Sequence, residues 1–404
     1  MKIRSISITF LALALLSACA SVKELASEPS VPSDYAMGTL RMYRFEEINV
    51  LKPPKGYKPF MISHYGRHGA RFHGDDTQGV KVYDVLSEAH ERKHLTPVGE
   101  ALYEYIGLFY KMYAGHAADL TQKGRAQQKK LAIRMKKAYP EVFTSKTIVQ
   151  ARSTVAPRCI LSMSAFCDGL GIWAEQSASK AYAPILAPQL SIPGFEERSR
   201  QAWAVIREEA VSKIDPSAFL ERVFGEADYK IPSYPSEVSF MRNVHYLLSN
   251  APCLDIDLPD APDVFSDKEL DELWSITNRV FPASGYASDE GVAASSSLMR
   301  DILEMAEQDI ASGEKVVRLR FGHDSHLMSL LSYMGVPQWK GATWQDWRIP
   351  MAANLQIVFY RNASKEILLS VLLNEKPVSL PISPVHGHFY RWIDFKQYYL
   401  SWHL

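Results

Sequence analysis

The sequence predicts an α/β protein, a three-layer α/β sandwich around a mixed, mostly parallel sheet, with an inserted helical lobe. Three observations predict it. Short apolar runs that read as strands (Phe60-Met61-Ile62, Thr147 to Ala151, Lys315 to Phe321, Asn354 to Tyr360 and Ile367 to Leu373) alternate with segments of helical period. From about Pro188 to Ser312 the pattern is instead helix after helix, joined by proline-rich stretches. The folded part of the 404-residue chain is also longer than a single core usually grows, so two lobes are expected. The domain reading is 41–187 with 313–404 for the α/β core and 188–312 for the lobe.

The N-terminal residues read as a leader. Lys2 and Arg4 form a charged n-region, and Ile6 to Leu16 is apolar but too short for a permanent span. Leu16-Ser17-Ala18-Cys19 matches a bacterial lipobox, so 1–18 is read as a lipoprotein signal peptide and Cys19 as the lipidated residue. Residues 19–40 form the tether, polar and proline-containing. The expected mature protein is exported and held to a bacterial membrane by its acyl chains alone, facing periplasm or cell surface. With 45 basic and 45 acidic side chains the net charge is zero, which argues against a nucleic-acid partner. Any strong anion site must be local. A monomer is expected.

The stretch Ser63-His64-Tyr65-Gly66-Arg67-His68-Gly69-Ala70-Arg71-Phe72 follows the first strand run. Guanidinium groups are fork-shaped and always charged, so Arg67 and Arg71 around His68 describe a pocket for a tetrahedral oxyanion with a nucleophile at its floor. Gly66 and Gly69 suit a tight loop whose backbone approaches a ligand. A metal site of His64, His68 and His73 is the competing reading; adjacent arginines repel a divalent cation, and Asp75 and Asp76 follow no ligand spacing.

From this motif to residue 118 the chain shows no clear period and reads as loops and short helices over the pocket mouth. Thr121 N-caps a helix whose stripe is Leu131, Ala132, Met135, Ala138 and Tyr139, with Pro140 as its stop. After the next strand, Pro157 suits the first position of a helix, placing Arg158 in its first turn where side chain and free N–H groups can meet an anion. Arg152 is a weaker candidate for the same pocket. Cys159 and Cys167 sit about 12 Å apart on that helix at 1.5 Å per residue, beyond disulfide reach, so at most one bridge, to Cys253, is possible. In the lobe, Ser266 with Glu269 forms a capping box stapled by Phe265 and Leu270, and Leu298 to Ile310 is a helix stopped near Gly313. Lobe loops would choose the substrate. The strand from Lys315 ends in Gly322-His323-Asp324-Ser325-His326, followed by a helix from Leu327. A His-Asp pair at the carboxyl end of a strand lies where open α/β sheets bind ligands. His323 can donate to a phosphoryl oxygen, and Asp324 can act as general acid if neutral when substrate binds. A metal reading of His323 and His326 stays open. The aromatic tail from His388 reads as packing.

Arg67-His68-Gly69-Ala70-Arg71, Arg158 and His323-Asp324 together resemble the catalytic set of the histidine phosphatase superfamily, in the branch of acid phosphatases and phytases. Ser63-His64-Tyr65-Gly66, Leu120-Thr121-Gln122-Lys123-Gly124, Met351-Ala352-Ala353-Asn354 and Leu372-Leu373-Asn374-Glu375 resemble the multiple inositol polyphosphate phosphatase group. The resemblance implies a phosphomonoester hydrolase with no cofactor and no metal. It makes His68 the nucleophile, Arg67, Arg71, Arg158 and His323 the phosphate clamp, and Asp324 the acid. It also implies inositol hexakisphosphate (phytate) as substrate. Two departures bear on this: the inositol group usually shows His-Ala-Glu where this chain has His323-Asp324, and His73 replaces a proline common after the second arginine. A broad-specificity acid phosphatase is therefore the alternative, and a non-enzymatic inositol phosphate-binding lipoprotein a further one.

Overall fold

Strand β1, Lys58–Arg67, is buried continuously from Phe60 to its end, as a strand covered on both faces must be. The computed structural model describes residues 33–339 and 344–401, and the chain divides into units Met1–Tyr35 and Ala36–Leu404, of which the second carries the fold. The expected signal peptide and Cys19 lie outside the described residues. The other strands are β2 Ile148–Ser153, β3 Glu175–Ala178, β4 Val316–Gly322, β5 Asn354–Arg361, β6 Ile367–Leu373, β7 Lys376–Pro377 and β8 Tyr390–Arg391. They form one sheet in the order β3-β2-β4-β1-β5-β6-β7, with β8 also on β6. The core strands β3, β2, β4 and β1 are parallel, and β5 to β8 add antiparallel. The sheet is thus mixed, with a parallel core, as the sequence predicts.

The helices are α1 Gln78–Glu91, α2 Pro97–Gly107, α3 Gln122–Ala138, α4 Pro157–Leu170, α5 Ala183–Leu186, α6 Phe195–Lys213, α7 Ser217–Phe224, α8 Glu237–Asn250, α9 Asp267–Phe281, α10 Asp289–Ala294, α11 Ser296–Ser312, α12 Asp324–Tyr333 and α13 Trp392–Ser401. The two-residue period of the strands sorts them into layers. Ile62, Val317, Leu319 and Phe321 face a core shared with Leu131 and Met135 of α3 and Met163 and Phe166 of α4. Met61 and Val316 face the opposite core, with Ile302 of α11, Leu330 of α12 and Phe395 of α13. The aromatic tail is packing, as expected.

A third cluster joins Val82 and Leu86 of α1, Leu102 and Ile106 of α2, Phe219 and Val223 of α7, Val244 of α8 and Leu273 of α9. The stretch after the first motif is therefore not loops with short helices: α1 and α2 are regular and supply part of the helical core. Their apolar positions Val82, Val85, Leu86 and Ala89 do follow helical spacing, but polar residues on every other face dilute it. Helix α11, read with the lobe, packs on the sheet instead. Strand β3 went unread because all four of its residues are exposed at the sheet edge, which leaves no alternation to see. Cys159, Cys167 and Cys253 are buried free thiols, so the one bridge that spacing allowed is not made. Among the described residues no helix is long and apolar enough to cross a membrane.

The α3–α4 pair that flanks the site meets backbone to backbone. A Cβ on Gly169 would lie 2.4 Å from the carbonyl oxygen of Lys129, and one on Gly124 would lie 2.2 Å from that of Ala70. Gly169→Ala should therefore destabilise the protein by about 1 to 3 kcal/mol in chemical denaturation, the usual cost of overpacking. An unchanged midpoint would mean that the helices separate freely here.

Candidate active site

The register sets the site. Arg67 of β1 pairs with Gly322 of β4, so the carboxyl ends of these parallel neighbours are level and the residues after them, His68 and His323, stand side by side with ring centroids 5.7 Å apart. The loop after β1 is then fixed group by group. The His68 N–H donates to Gly322 O (3.1 Å) and its carbonyl accepts from Ala352 N (2.9 Å). Gly69 N donates to Ser162 Oγ of α4 (3.0 Å), and Ala70 N to Gln127 Oε1 of α3 (2.8 Å). Gln128 Nε2 donates to Arg67 O (2.8 Å), and the Thr121 hydroxyl to Ala70 O (3.0 Å). Gly69 itself lies against Gly124, where a Cβ would come within 2.3 Å of backbone oxygen. Such a loop holds its side chains without cost at the moment of reaction. Gln127, Gln128 and Ser162 escaped sequence reading, since nothing in their spacing marks them.

His68 is buried, and its Nδ1 lies 2.9 Å from Gly69 O. A carbonyl only accepts, so Nδ1 carries the proton and Nε2 keeps its lone pair. Burial, then Arg67, Arg71, Arg158 and His323, hold the imidazole far below its ordinary pKa. The ring is thus neutral well into the acid range.

The three arginines converge on this ring from β1, the loop and the first turn of α4. Arg67 is fully buried; its Nη1 donates to Thr39 O (2.6 Å) and Ile349 O (2.8 Å), and its Nη2 pairs with Asp324 Oδ2 at 2.7 Å. Arg71 Nη1 donates to Phe72 O (2.8 Å). Arg158 Nη2 lies 3.4 Å from His323 Nδ1. Buried Nε atoms of all three have no hydrogen-bond partner among the described residues. An unpaired buried donor costs about 1 to 3 kcal/mol, a cost that an acceptor entering the site would relieve. A tetrahedral oxyanion beside His68 is such an acceptor.

His323 N-caps α12 and Asp324 is its first residue. Burial, then His326 and Arg158, lower His323 to about 3, so it is neutral and can still donate one N–H. Burial pushes the Asp324 carboxyl up, but Arg67, His323 and the Ser325 N–H together hold it below the ordinary carboxylate value.

Arg152 does not join the group: it stacks over the Tyr182 ring at 3.9 Å and sits 3.9 Å from Asp301, on the other face of the sheet. Strand alternation explains this, because neighbouring Val149 and Ala151 already occupy the face of the α4 core. The motif histidines also separate. His64 packs between Phe166 and Phe321, and His73 lies edge-on to Tyr246 at 4.2 Å. His326 Nδ1 is 2.6 Å from Gln189 Oε1. No group of three His, Cys, Asp or Glu among the described residues could hold a metal ion.

Residues 66–374 match the family model of the histidine phosphatase superfamily (branch 2). A human relative, multiple inositol polyphosphate phosphatase 1, is 23% identical over 331 residues, covering 70% of this chain and 65% of its own length. The chain thus spans about 65% of that curated relative. Among solved structures, multiple inositol polyphosphate phosphatase of Bifidobacterium longum, in its complex with phosphate, superposes with a TM-score of 0.70 at 14% identity, over 91% of this chain and 98% of that one. The phytase from D. castellii does so at 0.68 and 15% identity, over 95% and 89%.

The buried histidines make stability depend on pH. His64 is lowered to about 3, His323 to about 3, His326 and His245 to about 4, each chiefly by burial, and His68 is lowered too. The unfolded chain binds protons near pH 6.5 and the folded one does not, so stability is full above that pH and falls as pH drops towards these values. Unfolding free energy should decrease below about pH 6 by about 1.4 kcal/mol per pH unit for each buried histidine. His245→Gln should flatten that slope by about one such increment, which urea titrations at several pH values will read.

Proposed function

The chain belongs to branch 2 of the histidine phosphatase superfamily, and on that premise we propose that it hydrolyses phosphomonoesters through a phosphohistidine on His68. The observation that carries the reading is a neutral histidine with one lone pair free, ringed by three arginines whose buried Nε atoms have no acceptor among the described residues.

His68 Nε2 attacks phosphorus while Arg67, Arg71, Arg158 and His323 bind the equatorial oxygens. Phosphoryl transfer demands positioning and charge stabilisation more than covalent chemistry, and fixed donors supply both. Asp324 starts as a carboxylate paired with Arg67. When a phosphate monoanion enters, it takes over part of that pairing and adds negative charge, which raises the proton affinity of Asp324 until it takes up the monoanion's own proton and holds it for the leaving alkoxide. In the second step the carboxylate takes a proton from water attacking the phosphohistidine.

For substrate we propose inositol hexakisphosphate and other inositol polyphosphates, the class named for the human and Bifidobacterium relatives. The His323-Asp324 pair, which resembles the acid phosphatases and bacterial phytases rather than the inositol polyphosphate phosphatase group, leaves a second reading with a broader range of esters. We further propose that the protein is exported and anchored through lipidated Cys19, on the strength of Lys2, Arg4, the apolar run and Leu16-Ser17-Ala18-Cys19.

The protein lacking residues up to Cys19 should release phosphate from inositol hexakisphosphate in the presence of EDTA, and His68→Ala should abolish this while leaving the circular dichroism unchanged. Turnover of p-nitrophenyl phosphate alone points to the broader phosphatase, and turnover of neither removes the enzymatic reading. Asp324→Asn should slow the inositol ester by about 10²-fold or more but the nitrophenyl ester by less than about tenfold, because nitrophenolate leaves without a proton. Equal slowing of both would dismiss Asp324 as general acid.

A further inference from the structure

Asp346 belongs to none of the motifs, yet its side chain lies behind the phosphate clamp. It opens a 3-10 turn, Asp346–Arg348, and is buried. Its Oδ1 accepts from Trp274 Nε1 of α9 (2.9 Å), and its N–H donates to Asn278 Oδ1 of the same helix (2.9 Å). Its carbonyl accepts from Ile349 N (2.9 Å), and Ile349 O in turn accepts from Arg67 Nη1 (2.8 Å). The other acceptor of that nitrogen, Thr39 O, follows Gly38, and a Cβ on Gly38 would lie 2.6 Å from Asp346 Oδ2. Gly38 also has φ +53°, so two constraints call for glycine beneath this carboxyl. One residue therefore serves both segments that hold Arg67 Nη1: its side chain lies against Gly38, its backbone carbonyl accepts from Ile349, and the carboxyl is fastened to α9 through Trp274.

We propose that Asp346 is a positioning residue for Arg67: it ties the segments that hold the guanidinium to the helical lobe and, once ionised, competes with the substrate phosphate for the guanidinium's charge. The proposal rests on Arg67 binding phosphate in the reaction above. The groups facing the carboxyl are Trp274 from α9, not titratable, the Gly38 backbone, Arg67 from β1 and Asp324 from α12, while Asn278 of α9 accepts from the backbone N–H. On its own turn, Arg348 Nε donates to Gln345 and the guanidinium lies over the Trp347 ring, 4.7 Å from its centroid. Arg41 donates to Trp347 O. Burial pushes the carboxyl up to about 7, against the Trp274 and Trp347 N–H groups, with Asp324 adding to the rise and Arg67 opposing it. It is uncharged in the acid range, where Asp324 alone balances Arg67. Above neutrality a second negative charge appears near the clamp.

The test compares wild type with Asp346→Asn, which keeps the acceptor for Trp274 but never ionises. Calorimetric affinity for inorganic phosphate, and kcat and KM for p-nitrophenyl phosphate, are measured from about pH 5 to 9. Taking variant-to-wild-type ratios cancels the titration of phosphate itself. The ratio of phosphate affinities should rise with pH and reach about three- to tenfold in favour of the variant above about pH 8, with KM lowered by the same factor and kcat moving little. Trp274→Phe removes a donor to the ionised form and should shift the wild-type inflection to higher pH. A ratio that is flat with pH, or a change confined to kcat, overturns the proposal. Wild type that binds phosphate without hydrolysing the ester removes the reaction and leaves the binding comparison to decide this role. Wild type that binds no phosphate overturns both.

Discussion

Everything near the site depends on burying one guanidinium. Arg67 has no exposed surface, and an arginine cannot shed its charge to ease that burial. Its tolerance comes from two carbonyls and a carboxylate that belong to three distant parts of the chain, at Thr39, Ile349 and Asp324. These partners can meet only if β1 and β4 lie side by side in register, if 344–353 returns across their ends, and if the segment before β1 packs beneath. The sheet order delivers this: β4 on one side of β1 and β5 on the other leave the end of β1 between a parallel and an antiparallel neighbour. The carboxyl ends of parallel strands such as β1 and β4 are where ligands settle in open α/β sheets.

From that burial follows the electrostatic character of the site. A chain of net charge zero gathers Arg67, Arg71 and Arg158 around one imidazole. Among the described residues, Arg67 is the one of the three in an ion pair with a carboxylate, that of Asp324. Burial, and then the surplus positive potential, keep His68 neutral, and the loop's backbone selects which of its nitrogens holds the proton. Helices α3 and α4 matter as carriers of Gln127, Gln128, Thr121 and Ser162, whose bonds leave the loop backbone no alternative. Glycine at 69, 124 and 169 is the condition for these elements to come that close.

The sheet and the clamp were legible because both rest on short-range patterns. Alternating apolar residues mark a strand, and Arg-His-Gly-Ala-Arg or His-Asp after one reports its chemistry within a few positions. What supports the clamp was not legible. Gln128 reaches Arg67 from 61 residues away, and Asp346 meets Gly38 from the other end of the chain. Neither has a local signature, since a buried glutamine or aspartate is spelled like an exposed one until its partners are known. Arg152 illustrates the opposite error: read as lying just after the strand it suggested the same pocket, whereas it lies within β2, where one step along a strand reverses the face. The helical lobe was half legible. Ser266 with Glu269 announced α9 through a local cap, which the structure makes in full, while the partnership of α1 and α2 with α7 to α9 is tertiary and left no trace in spacing.

In the reaction proposed above, the free protein holds the two groups assigned to react, His68 and Asp324, in unequal readiness. His68 is already in its reactive form, whereas Asp324 is a carboxylate and can donate nothing. This asymmetry suits the reaction, because a permanently protonated acid beside Arg67 would leave the buried guanidinium unbalanced between turnovers. The arriving phosphate brings charge of the right sign to replace Asp324 at Arg67, and so creates the acid only where an ester is present to use it. After the alkoxide has taken the proton, Asp324 is again an anion, now next to a phosphorylated His68, and an anion is what must accept a proton from water. One carboxyl can therefore serve both half-reactions because the same arginine is offered in turn to it and to the phosphoryl group.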